Sequence, residues 1–502
     1  MSAPDTPPAD QEAAPPGSAA ALRARYGARY RWLLLASVMV GTVAAIMSST
    51  VINVAIPGLS HHFELGQARA QWVTSGFMVA STVAMLTTPW LLARFGYRAT
   101  YSGSMLLLMA GGILGGFAQN YPLLLAARVA EGLAAGVVQP IPATIIMRAF
   151  QPHEQGRAGS LFGMGVVLAP AIGPSVGGLL VDWLGWRSIF FMVTPFCLAC
   201  LWLARRFVPT AGPVEASASG KPALDVIGLT LGTAGTLSLL NGLVALHQDT
   251  HEALALLVLA LLAALAFVVW QRKRKARGQT PLMDLALFAW QPFAMGTLVA
   301  LIYGTALFGS TYLLPVYMLV ALELPAASVG SILLPSGIAL AVSIAVVGRL
   351  ADRQPPALLV CTGLALLALS FALMVTIDLG ASLWHLMAFG IVGRIGLGFI
   401  LPSLNSGSMR GLPAPLVAHG ASAISFVRML GGATGVSLCG IVLEWRLTAH
   451  GSALTDAAHP AARLAAFDEV FLILAALCAL AMLAARHLSQ TSRQEWISQQ
   501  QQ

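Results

Sequence analysis

The sequence predicts an all-α polytopic membrane protein, and three observations predict it. Only 10% of the 502 residues are charged, 57% are hydrophobic, and the mean hydropathy is +0.78. A soluble domain carries about 25% charged residues because its surface faces water, so most of this surface needs the bilayer as its solvent. Fourteen apolar segments reach the length that crosses a hydrocarbon core as a helix, about 20 residues. Arg and Lys gather in alternate loops between those segments.

Taken in order, residues 1–32 are rich in Pro and Ala, end in a basic cluster and read as a disordered tail. The apolar run at 33–55 is too long for a signal-peptide core and ends without a small-residue cleavage site, so it reads as a retained first span. Further spans fall at 71–92, 100–118, 121–146, 157–180 and 187–206, completing a six-helix unit over 33–206. Residues 207–292 form a linker holding two extra spans, 224–246 and 252–271. A second six-helix unit over 293–486 holds spans at 293–320, 327–350, 357–377, 383–406, 417–443 and 467–486. Residues 487–502 are a polar tail.

The loops fix an orientation. Arg23, Arg25, Arg29, Arg31, Arg94, Arg98, Arg148, Arg157, Arg205, Arg206, the run Arg272-Lys273-Arg274-Lys275, Arg349, Arg353 and Arg410 share one side. The other side holds Arg69, Arg187, Arg446 and Arg463. The positive-inside rule then puts both termini in the cytoplasm of a bacterial inner membrane. These loops account for the net charge of +8, and nothing in it asks for a nucleic-acid partner. Cys197 and Cys200 form a C-x-x-C inside an apolar run, the setting of small buried residues rather than of a redox motif.

The chain repeats itself. PWLLARFG (89–96) follows span 2 and GRLADRQP (348–355) follows span 10, each a short turn with Leu and Arg at matching offsets. Paired halves around a midplane site are the usual plan of secondary transporters.

Further motifs resemble one branch of a known family. They are SSTVINVAIP (48–57), RVAEGLAAG (128–136), APAIGPSVGG (169–178), WRSIFFMVTP (186–195), PLMDLALF (281–288), LPVYM (314–318) and VRMLGGATGV (427–436), together with the two turns. The chain is similar in them to the fourteen-span drug:proton antiporters of the major facilitator superfamily, the EmrB/QacA-like exporters. The resemblance implies two six-helix bundles with two extra central helices, and proton-coupled export of lipophilic or cationic drugs by alternating access. It also implies a periplasmic adaptor and outer-membrane channel as partners of some relatives. No metal or organic cofactor is implied. Residues 169–178 look like the antiporter motif. The pattern shows three departures: Ser48 stands where the family has an acid, Pro89 and Ala93 replace Gly and Asp, and Glu131 replaces a common Gln. The first and third suggest that the membrane carboxylate has moved from span 1 to span 4.

The chemistry of these sites can be read directly. Pro170 and Pro174 lack an N–H and disturb a helix, while Gly173, Gly177 and Gly178 allow a neighbour to approach closely; ordinary tight packing is the plainer reading. Arg128 and Glu131 lie three apart on one helix face. Burial favours the neutral acid and the guanidinium favours the anion, so small rearrangements would switch its protonation; a static ion pair is the alternative. Asp225 is the next acid for proton coupling. Arg94, Gly96, Arg98, Gly348, Asp352 and Arg353 make a gating motif at the basic loops, extended by Arg148, Glu154 and Arg157, or else serve topology alone. Ser48, Asn53, Trp72, Phe77, Tyr303, Phe308, Tyr312, Tyr317, Arg394 and Arg428 are substrate-cavity candidates, with packing the competing role.

Other classes fit less well. No G-x-x-x-x-G-K-[ST] loop supports an ATP-driven pump. His153-Glu154 and His251-Glu252 lack the second His of a zinc protease, and no G-x-S-x-G elbow supports an intramembrane hydrolase. A dedicated exporter or importer of one metabolite on the same scaffold is the serious rival.

Overall fold

A computed structural model describes residues 17–65, 67–210, 223–246, 249–378, 380, 382–451 and 460–488. Within them the chain is helical throughout. A short helix α1 (Ala19–Tyr26) leads into α2 (Tyr30–His62), α3 (Gln67–Met85), α4 (Thr88–Gly116), α5 (Tyr121–Val138), α6 (Pro140–Ala149), α7 (Gln155–Leu184) and α8 (Ser188–Phe207). Then follow α9 (Val226–Ala245), α10 (Thr250–Ala276), α11 (Gln291–Val316), α12 (Ala326–Ala351), α13 (Pro356–Met374), α14 (Leu383–Met409), α15 (Val417–Ala449) and α16 (Pro460–Ala485).

The described parts of the fourteen expected segments are helical, but 71–92 and 121–146 are each broken between two helices. Eleven of the described helices are long and apolar enough to cross a membrane, or twelve if the bent pair α3 and α4 is one span. Those two helices meet at 80° across Leu86 and Thr87, with Pro89 just inside α4. The expected turn at 89–98 is instead two turns of helix, ended by Gly96 at φ 78°, a backbone conformation glycine adopts without strain. The segment 121–146 divides at Gln139 because Pro140 has no N–H to continue the ladder.

Part of the expected N-terminal tail is ordered. Ser18 caps α1 by accepting from the Ala21 amide, and Leu22 and Tyr30 bury against α4 and α8, so residues 19–32 are helical. The Thr210 amide donates to the Gly17 carbonyl and fixes the start of this segment beside the end of α8. Residues 1–16 and most of the C-terminal tail lie outside the described residues.

Packing divides along the sequence. Two apolar clusters occupy α2 to α8, and one large cluster occupies α11 to α16. Leu86 and Ala143 join the second set, and Ala418 joins the first. All three lie at the end of the molecule that carries the basic loops, hereafter the basic face. Glycines set the closest approaches within the first set. A Cβ on Gly132 would meet the Phe77 carbonyl and one on Gly136 the Ser81 carbonyl, so α5 touches the backbone of α3.

Candidate functional site

The centre of the first set of helices holds one ion pair. Arg128 and Glu131, on α5, are each 1% exposed, with Nη1 2.5 Å from Oε2. Nη1 also donates to the Ser48 carbonyl at 3.3 Å and hydroxyl at 3.2 Å on α2. Nε donates to the Val73 carbonyl at 3.2 Å on α3, and the guanidinium lies 4.4 Å from the centre of the Phe77 ring. Arg128 therefore joins three helices, and its Nη2 has no hydrogen-bond partner among the described residues. On the far side α4 passes so close that a Cβ on Gly111 would sit 2.7 Å from Glu131 Cγ. Ser48 thus offers a hydroxyl to the very guanidinium that Glu131 neutralises. A buried pair that keeps one donor atom unused can exchange partners without losing its ion pair.

The glycines of the 169–178 motif pack inside the same set of helices. A Cβ on Gly173 would meet Thr50 Oγ1 at 2.7 Å and one on Gly177 would meet Val51 Cγ1 at 2.5 Å, while Gly178 has ordinary contact with Val54. The motif therefore seats α7 on the 48–57 stretch of α2. The side chains of Pro170 and Pro174 lie outside the described residues. Contact with the second set comes from the other end of α7: Gly156 against Ala351 and Asp352, and Gly163 against Ile344.

At the basic face, Asp352 Oδ1 accepts from the amides of Gly156 at 2.8 Å and Arg157 at 3.3 Å. A carboxylate at the first turn of a helix meets its unpaired amides and the positive end of its dipole. Burial pushes the Asp352 carboxyl above the usual range, with the two amides pulling the other way. Gly348 is needed one turn earlier, where a Cβ would collide with Ser160. Arg148 donates to the Ala414 carbonyl, and Ser422 donates to the Met85 carbonyl, two further links between the sets. Arg31 pairs with Glu154 at 2.6 Å and Arg157 lies over Trp32. The gating residues do not converge on one cluster. Arg94 lies against Trp90 and Phe95, Arg98 donates to the Val208 carbonyl at 2.8 Å, and Arg353 is exposed.

Asp225 stands apart from both places. It is 2% exposed, caps α9 through the Gly228 amide, and accepts from Trp270 Nε1 and Gln271 Nε2, both at 2.8 Å, with Arg274 at 3.6 Å. It latches the base of the α9–α10 hairpin.

A cavity of about 390 Å³ opens between α3, α9, α10, α11 and α15, walled by Trp72, Ser75, Asn241, Phe308, Met429 and Ser437. A more apolar groove of about 710 Å³ runs along α3, α4 and α5 to Leu229 and Leu237 of α9, sharing Trp72. The aromatic candidates separate accordingly. Trp72 and Phe308 line the cavity, Tyr303 is buried and off its lining, and Tyr312 is half-buried. Tyr317 packs on Phe467 and Phe471 inside the second set. Asn53 accepts from Thr74 at 3.4 Å. The links made by Ser422 and by the Val73 carbonyl carry no sequence signal, because a backbone acceptor can belong to any residue.

The family model for the Major Facilitator Superfamily matches residues 38–436. The chain belongs to this superfamily. This facilitator is 29% identical over 418 residues to a multidrug resistance protein B homolog of Mycobacterium tuberculosis, covering 81% of the chain and 75% of the relative. It is 26% identical over 433 residues to the multidrug export protein EmrB of Haemophilus influenzae, covering 85% and 83%. Its fold is shared with the crystal structure of a human organic anion transporter, at a TM-score of 0.65 and 16% identity over 91% of this chain and 99% of that one. It is a multi-pass membrane transporter, similar in sequence to the two multidrug proteins just named.

Proposed function

We propose that this facilitator is a secondary active exporter that exchanges protons for lipophilic small molecules by alternating access, with Glu131 as the proton carrier. The observation that carries the reading is the Arg128–Glu131 pair, fully buried and tied to Ser48, Val73 and Phe77 on two neighbouring helices. A rearrangement of α2 or α3 would move the guanidinium and change how firmly Glu131 holds its proton. Glu131 suits the role better than Asp225, whose two oxygens are committed to the α9–α10 latch.

The reading includes fourteen spans, with bundles at 33–206 and 293–486 and an α9–α10 insert between them. The basic face is cytoplasmic by the positive-inside rule, with both termini there. Contacts between the two sets of helices cluster at that face, whereas the 390 Å³ cavity is walled by Trp72, Glu252 and Ser437, from the opposite ends of α3, α10 and α15. This is the arrangement of a carrier closed toward the cytoplasm. A periplasmic adaptor and an outer-membrane channel would complete a path across a double envelope.

The test is efflux from energised cells of three dyes, cationic ethidium, neutral Nile red and anionic carboxyfluorescein loaded as its diacetate. Extrusion of at least one dye, stopped by a protonophore and lost in Glu131→Gln, supports the reading. Extrusion that ignores the protonophore overturns it.

A further inference from the structure

The second set of helices holds two mid-helix arginines that have no ion pair among the described residues. Arg394 on α14 and Arg428 on α15 each lie about three turns inside their helices. Arg428 is 8% exposed and, among the described residues, makes neither a hydrogen bond nor an ion pair. Arg394 reaches only Thr311 Oγ1 on α11, at 3.5 Å, and Thr311 itself is exposed. Tyr303 on α11 precedes Gly304, where a Cβ would meet the Arg428 carbonyl, so α11 and α15 touch at this level. Elsewhere the chain pairs its buried arginines: Arg128 with Glu131, and Arg463 with Glu323 at 2.5 Å.

A guanidinium taken from water without a partner is costly, and membrane helices retain such a residue where it serves transport. Two forked donors beside a phenol suit an oxyanion, which accepts two parallel N–H bonds from each fork. A cavity lies next to this place along α15. Met429, next to Arg428, and Gly432, one turn on, line the 390 Å³ cavity together with Phe308, whose ring covers Gly432. Trp72 and Phe308 make that wall aromatic, its charged lining residue is Glu252 on α10, and the two guanidinium groups lie off the lining.

We infer that Arg394, Arg428 and Tyr303 form a receptor for the oxyanion head (carboxylate, sulfonate or phosphate) of an otherwise lipophilic cargo. The inference rests on the export reading only in taking the ligand as cargo. It replaces the expected preference for cationic drugs with a preference for amphiphilic anions.

Binding tests it without any proton gradient, so a failure of the export reading leaves the result interpretable. The full chain is purified into nanodiscs of zwitterionic phosphatidylcholine, and fluorescence polarisation follows 5-carboxyfluorescein and the cation rhodamine 6G. The parent should bind carboxyfluorescein saturably. Arg394→Gln and Arg428→Gln should each weaken that binding by about tenfold or more, the scale of one charged hydrogen-bonding partner, without weakening rhodamine 6G. Arg428→Lys should fall between. Removal of an unbalanced buried charge should not lower the unfolding temperature, so Arg428→Gln should melt no earlier than the parent. Tyr303→Phe, which keeps the ring, should weaken carboxyfluorescein alone and serves if a Gln variant fails to fold. Absence of saturable carboxyfluorescein binding by the parent, or unchanged binding in the folded variants, overturns the proposal. Competitive displacement by phosphatidylglycerol in the disc would assign the pair to lipid headgroups and overturn the cargo assignment; indifference to it supports cargo.

Discussion

Asp352, at the end of α12, holds the amide of Gly156, at the start of α7, at 2.8 Å. The two residues come from different sets of helices, and the bond lies at the basic face beside the Arg148–Ala414 and Ser422–Met85 links. One carboxylate thus ties the second set of helices to the N-terminus of α7.

That tie makes stability depend on pH with a definite sign. Burial raises the Asp352 carboxyl above its ordinary 3.8 in the folded chain. The folded state therefore holds the proton more tightly than the unfolded state, and the stability owed to this group falls as pH rises through the window just above 3.8. Asp352→Asn abolishes that dependence while its amide oxygen still accepts from Gly156. Thermal unfolding of both proteins across that window should show the variant gaining on the parent as pH rises; parallel curves would sink the argument.

The seam between α3 and α5 should tolerate no added methyl group. Gly136→Ala drives a Cβ into the Ser81 carbonyl, and overpacking of this kind costs about 1–3 kcal/mol. Gly103→Ala on α4 meets nothing within 4 Å and should be neutral or slightly stabilising. The two melting temperatures in one detergent compare the cases; equal shifts would show that the seam is not tight.

Arg128 should need one anion but not a particular one. Glu131→Gln leaves a buried guanidinium without its partner, a loss of about 3–5 kcal/mol for pairs of this kind. Ser48 Oγ already stands 3.2 Å from Arg128 Nη1. Ser48→Asp added to Glu131→Gln should therefore recover most of the lost melting temperature and part of the efflux. A double variant no better than Glu131→Gln would contradict this geometry.

Asp225 should matter to folding and not to coupling. Asp225→Ala removes the α9 cap and two side-chain partners, and a cap alone is worth about 1 kcal/mol. The variant should melt earlier, and the molecules that reach the membrane should keep protonophore-sensitive efflux. Loss of coupling with unchanged stability would move the proton site to Asp225.

Much of the helical fold was legible because a membrane leaves few choices: apolar length fixes helices. The Arg128–Glu131 contact was legible for the same reason, since i and i+3 share a helix face. Three features were not. The order of residues 19–32 depends on Leu22 and Tyr30 finding a tertiary partner, which no local pattern records. Asp352 was expected near Arg94 as a charge contact, yet it meets backbone amides, whose position follows from where α7 begins. Arg394 and Arg428 stand in the sequence as cavity candidates, but that neither has an ion-pair partner among the described residues follows only from which helices surround them.

The central claim, that Glu131 carries the coupling proton, is tested most directly by dye efflux from energised cells with and without protonophore. The parent should extrude at least one of ethidium, Nile red and carboxyfluorescein, and only while the proton gradient stands. Glu131→Gln, present in the membrane at parental level, should lose that efflux by about tenfold or more, the scale on which proton transfer by a positioned side chain contributes. A Glu131→Gln protein that extrudes the same dye as fast as the parent, and still stops with the protonophore, would contradict the account.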